Sequence, residues 1–129
     1  MTEASPFDAE SAELIGRGIS QFNSGMFFEC HDTLEEVWQG TRGEARDFLQ
    51  GLIQVSVGFY HLCNGNLAGA GSQLEKGLSR LEQYGDAYGG VDLAQLRRDT
   101  THWLERFKRG EPLRGHVRDL PVIRMLTAS

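Results

Sequence analysis

In "EARDFLQGLIQVSVGFYHLCN" (residues 44–64) apolar side chains cover more than half the circumference of a 3.6-residue helix. A helix with so little polar face must be enclosed by others. The stretch therefore predicts an all-α bundle in which this segment is the central helix and about five others surround it. Its polar residues Gln50, Gln54 and His61 are spaced by four and seven, which returns them to nearly one angle and makes a narrow stripe. Gly51 and Gly58 run beside that stripe. Glycine costs about 1 kcal/mol against alanine inside a helix, so two in register imply the close approach of another backbone.

The preceding segment, "FFECHDTLEEVWQG" (residues 27–40), reads as a helix closed by Gly40. On a wheel of ~100° per residue, Phe27, Cys30, Leu34, Val37 and Trp38 share one side, with Phe28 at its edge. Asp32, Thr33 and Glu36 take the other, together with Glu29, whose place at the helix start leaves its direction open. His31 falls inside the apolar arc. Glu35 lies one turn on, close enough to touch it. If this helix lies along the glycine strip, His31 and Glu35 face Gln54 and His61 across a buried polar site.

Further outward, Ser5-Pro6 resembles an N-cap followed by proline at the first helical position, opening a helix through Leu14, Ile15, Ile19 and Phe22 to about Asn23-Ser24-Gly25. Asn66 can cap a helix carrying Leu67, Ala70, Leu74, Leu78 and Leu81. Asp92 with Gln95 forms a capping-box pattern ahead of Leu93, Leu96, Trp103, Leu104 and Phe107. The tail after Gly110, with Pro112 and Pro121, reads as irregular or as a short helix through Leu120, Val122, Ile123 and Leu126. No strand pattern is visible. Gly18 to Gly25 followed by Phe27 matches Gly58 to Gly65 followed by Leu67 at an offset of 40 residues, so two helix–turn–helix units repeat weakly. Two copies fall short of a solenoid.

A chain of 129 residues is the size of a single domain, taken here as residues 1–129. A net charge of −5 with no cluster of Lys or Arg disfavours nucleic acid as a partner. No stretch approaches the length of a membrane span, and "MTEASPFDAE" is acidic where a signal peptide is basic and then apolar. A cytoplasmic location is expected. Cys30 and Cys63 lack any zinc-type spacing and read as two buried thiols.

"FFECHDTLEEVW" and "FLQGLIQVSVGFYHLCNGNLAGAGSQLEKGLSRL" together resemble domain-of-unknown-function family 309, small bacterial and archaeal all-helical proteins. The matching residues are Phe28, Glu29, His31, Glu35 and Trp38 in the first piece. In the second they are Gln50, Gly51, Ile53, Gln54, His61, Gly65, Asn66, Gly69, Ala70 and Leu74. With the turn between them they span Phe27 to Leu81, about two fifths of the chain. Cys30, Asp32 and Gly77 depart from the pattern, which usually has Ala, Glu and Ala there. The resemblance implies a central helix ringed by about five others and carries a family-level label of predicted metal-dependent hydrolase.

Two functions compete. In a metal-assisted hydrolase, His31, Glu35 and His61 would be the catalytic residues and the ligands of a divalent metal such as zinc, leaving open positions for water. Gln50, Gln54, Trp38 and Glu29 would orient ligands or substrate around them. The spacing H-x-x-x-E differs from H-E-x-x-H and from the Glu-x-x-His of di-iron bundles. In the alternative, the chain is a tetratricopeptide-like module for a protein or peptide, and the same polar groups are a structural core whose Glu and His satisfy each other. A homo-oligomer is compatible with either.

Overall fold

A computed structural model describes residues 5–111 and 120–126. Five α-helices follow one another: α1 (Ala9–Asn23), α2 (Phe27–Gly40), α3 (Gly43–Cys63), α4 (Leu67–Leu81) and α5 (Leu93–Lys108). A 3-10 turn at Glu82–Tyr84 and a hairpin of two short strands, β1 (Ala87–Tyr88) and β2 (Val91–Asp92), join α4 to α5. The all-α bundle expected from the central helix is what forms. α3 is buried along more than half its length, from Ala45 to Leu62. It packs on α2 to one side and on α4 to the other, while α1 covers α2 and α5 covers α4.

The core is continuous through these layers. Phe22 of α1, Phe27 of α2 and Phe59 of α3 meet ring to ring with centroids 5.0–6.0 Å apart. Phe48, Leu49, Leu52 and Val55 of α3 are enclosed completely. The glycine strip of α3 faces α4 rather than α2. A Cβ on Gly51 would lie 2.7 Å from Leu81 Cδ2, and one on Gly58 would lie 2.6 Å from Leu74 Cδ2. Gly77 of α4 answers from the other side, where a Cβ would meet the Gly51 carbonyl at 3.1 Å. Close approach was legible from the glycines, but its partner is the next helix in the chain.

Three features differ from expectation. α1 starts at Ala9 because Asp8 caps it, its carboxylate accepting from the Ser11 N–H at 2.7 Å, so Ser5-Pro6 lies outside the helix. The hairpin at 87–92 turns through Gly89 and Gly90, both at positive φ, and strands of two residues are too short to show alternation. Cys63 is exposed, so only Cys30 is a buried thiol. The caps Asn66 and Asp92 stand where the sequence put them, accepting from Gly69 N–H and Gln95 N–H. Of the tail, Pro112 lies outside the described residues, and residues 120–126 run without a helix, with Ile123 buried.

Candidate functional site

The polar residues of α2 and α3 border an open cleft of about 450 Å³ between α2, α3 and the end of α4, lined by His31, Glu35, Trp38, Arg46, Asp47, Gln50, Ile53 and Arg80. The wheel of α2 sets its near wall. Cys30, Leu34 and Val37 go into the core, which leaves His31 and Glu35 on the shoulder facing α3 and puts Asp32 and Glu36 in solvent. The inward turn of His31 and Glu35 is therefore partial: their side chains are 23% and 44% exposed. The expected buried site is a half-open one, because α2 meets α3 through Phe27 and Cys30, which touch Phe59 and Ser56.

His31 is fixed at both ring nitrogens. Nδ1 lies 3.0 Å from the Phe28 carbonyl oxygen, and Nε2 lies 2.9 Å from Glu35 Oε2. A carbonyl can only accept, so Nδ1 carries a hydrogen and donates. The lone pair of a neutral ring would then point from Nε2 straight at a carboxylate oxygen, which is repulsive. A positive charge between them, either a proton or a cation, makes the arrangement favourable. Asp32 Oδ1 approaches the ring only from the Nδ1 side, at 3.9 Å. It joins His31 and Glu35 in the group whose donor atoms lie within 4.8 Å of one another, yet it reaches the nitrogen that Phe28 already occupies.

The far wall is basic. The Arg46 guanidinium sits 3.9 Å over the Trp38 ring, and among the described residues its enclosed Nε has no acceptor. Arg80 of α4 closes the end of the cleft, with Nη1 2.6 Å from Asp47 Oδ1 and Nε donating to Gln54 Oε1 at 3.2 Å. Gln54 is thus turned toward α4, whereas Gln50 stays on the cleft wall. Arg46 could have been found by running the Gln54, Gln50 stripe back one more turn. Asp47 and Arg80 gave no local signal, since their meeting depends on the α3–α4 register.

His61 is held elsewhere. Its Nδ1 accepts from Asn66 Nδ2 at 3.3 Å, which ties it to the α3–α4 turn that Asn66 also caps. Phe28 and Tyr60 stand between it and His31, the rings following one another at 5.2, 5.5 and 5.8 Å. His31 and His61 border a mainly apolar pocket of about 150 Å³ together, but Glu35 is not in its wall. Among the described residues, the expected three-ligand set therefore converges as two, His31 and Glu35. Glu29 is exposed on α2 and does not line the cleft.

A family model described as a domain of unknown function, DUF309, matches residues 15–72. Residues 15–72 are similar to that domain. It takes in α1 from Ile15, all of α2 and α3 and the start of α4, and so every cleft residue except Arg80. A protein of Aquifex aeolicus (strain VF5) with the printed name "Uncharacterized protein" is 26% identical over 90 residues, 69% of this chain. The chain spans about a quarter of that relative's length, 27%. The matched segment is the part in which α2 and α3 supply the His31–Glu35 pair and the Arg46–Trp38 contact.

Proposed function

We propose that the cleft between α2 and α3 is a hydrolytic site acting on a small substrate with a divalent cation held by His31 and Glu35. The observation that supports this is the His31 ring, whose Nδ1–H is anchored on the Phe28 carbonyl while Nε2 faces a carboxylate 2.9 Å away. Metal-binding histidines use such a second hydrogen bond to fix ring orientation. Two protein donors are too few for a structural zinc site. They suit an oxygen-preferring ion that keeps waters and takes its remaining ligands from substrate. A bound ion would supply Lewis acidity and an acidified water. Gln50 would hydrogen-bond substrate from the opposite wall, and Trp38 would give it an apolar face. Free thiols at Cys30 and Cys63 suit the reducing cytoplasm in which we place the reaction.

Titration of the purified, untagged protein with Mn²⁺ by calorimetry tests the reading. One site is expected in the wild type, with a loss of at least tenfold in affinity for His31→Gln and for Glu35→Gln and no change for His61→Gln. Wild-type protein that binds no Mn²⁺, or variants that bind it equally well, would overturn it. A second reading, a tetratricopeptide-like module for a protein or peptide, draws on the packing of each helix chiefly against its chain neighbours. Phe28 and Tyr60, in tilted ring contact at 5.5 Å and exposed, would be its contact residues. On this reading the wild type binds no Mn²⁺, the outcome that overturns the first.

A further inference from the structure

The charges of the cleft pair off unevenly. Asp47 neutralises Arg80 at 2.6 Å, and Glu35 is taken by His31 at 2.9 Å. Arg46 is left over. Among the described residues it has neither a carboxylate nor a hydrogen-bond acceptor, and its one interaction is the stack on Trp38 at 3.9 Å. An arginine held over an indole has lost part of its rotamer freedom before any ligand arrives, so less entropy remains to be lost when an acceptor binds. The enclosed Nε is not available to a ligand. Among the described residues its terminal nitrogens are unpaired, and Arg46 lines the cleft.

We propose that Arg46, stacked on Trp38, binds the anionic group of the substrate, a phosphate or a carboxylate, through its terminal guanidinium nitrogens. This rests on the hydrolytic reading of the same cleft and names its substrate class. The planar fork matches either oxyanion in two parallel hydrogen bonds. Gln50, one helical turn beyond Arg46, adds a neutral hydrogen-bond donor to the same wall, and Arg80 lines the cleft already paired with Asp47. The carboxylates that would repel an anion are both engaged, Glu35 by His31 at 2.9 Å and Asp47 by Arg80 at 2.6 Å. A volume of about 450 Å³ suits a small molecule rather than a chain segment.

The test separates this inference from the metal reading by working without metal. Inorganic phosphate and succinate are titrated into the full chain in the presence of a chelator at constant ionic strength, using wild type, Arg46→Gln and Arg46→Lys. Saturable binding of one of the two anions by the wild type is expected, with the stronger binder deciding between phosphate and carboxylate. Arg46→Gln should weaken it at least tenfold. Arg46→Lys should restore part of that loss, because it keeps the charge and loses the fork. Circular dichroism and the Mn²⁺ titration of Arg46→Gln show whether the fold and the His31–Glu35 pair are intact. Binding of both anions unchanged in Arg46→Gln, or no saturable binding of either by the wild type, overturns the proposal, whichever way the Mn²⁺ titration falls.

Discussion

At Cys30 the thiol is fully enclosed and 3.2 Å from Ser56 Oγ, and burial pushes its pKa up to about 11 from the ordinary 9.0, the Ser56 contact opposing. The folded chain therefore keeps a proton that the unfolded chain releases between those two values. Stability from this group is complete below about pH 9 and is lost as pH rises through about 11. Wild type should lose about 2–3 kcal/mol more than Cys30→Ser between pH 8 and pH 12, as read by urea denaturation. Equal losses would show that the thiolate is accommodated. In the native protein at pH 8 a thiol reagent should label Cys63 alone, with Cys30 reacting only after denaturation. The same distinction between local and distant causes governs the site. His31 and Glu35 were legible as a touching pair because the helical period alone brings residues four apart together. Their half-exposed setting and the separation of His61 were not, because both depend on where α3 crosses α2 and on the Asn66 hydrogen bond at the turn.

Two helical hairpins, α1–α2 and α3–α4, are built alike, and the likeness extends past the turns that betrayed it in sequence. Gly25 and Gly65 both sit at positive φ, 78° and 76°, and each N–H donates to the carbonyl three residues back. The residue after each glycine donates five back, Met26 to Gln21 and Asn66 to His61, both at 2.9 Å. Gly18 meets Leu34 as Gly58 meets Leu74. His31, Glu35 and Trp38 correspond, 40 residues on, to Gly71, Glu75 and Leu78. Glu75 and Leu78 border a cleft of about 670 Å³ against α5, as Glu35 and Trp38 border one against α3. Gly71 instead receives the Phe107 ring, so the second hairpin has no counterpart of His31. Gly58→Leu should destabilise by about 1–3 kcal/mol through overpacking against Leu74. Gly16→Ala, with nothing within 4 Å of the new Cβ, should stabilise by about 0.5–1 kcal/mol. Denaturation midpoints moving in the same direction for both would contradict this assignment of glycine roles. Helix existence was read well from apolar period and caps. The β1–β2 hairpin escaped because its pairing comes from the glycines and from contact with the tail rather than from any alternation.

Across the whole molecule, helices that touch chiefly their chain neighbours need something to fasten the first layer to the last, and the segment at residues 120–126 does it. Asn23, at the end of α1, donates Nδ2–H to the Ile123 carbonyl at 2.9 Å and accepts the Ile123 N–H on Oδ1 at 2.7 Å. Ile123 itself is 2% exposed and belongs to the common core. Two residues on, Met125 bridges to Val91, while Asp92 N–H donates to the Arg124 carbonyl and Leu126 N–H to that of Gly90. The segment thus spans from the end of α1 to the start of α5. Asn23→Ala removes both side-chain hydrogen bonds and leaves the Ile123 backbone groups unpaired, which should cost about 1–3 kcal/mol. Ile123→Ala should cost about 2–5 kcal/mol through the lost apolar contact and the cavity left behind. Each change undoes the docking that the other depends on. The double variant should therefore lose less than the sum of the two, by at least about 0.5 kcal/mol. Losses that add fully would mean that Asn23 and Ile123 act independently, and that the tail is held by its contacts with the β1–β2 hairpin instead.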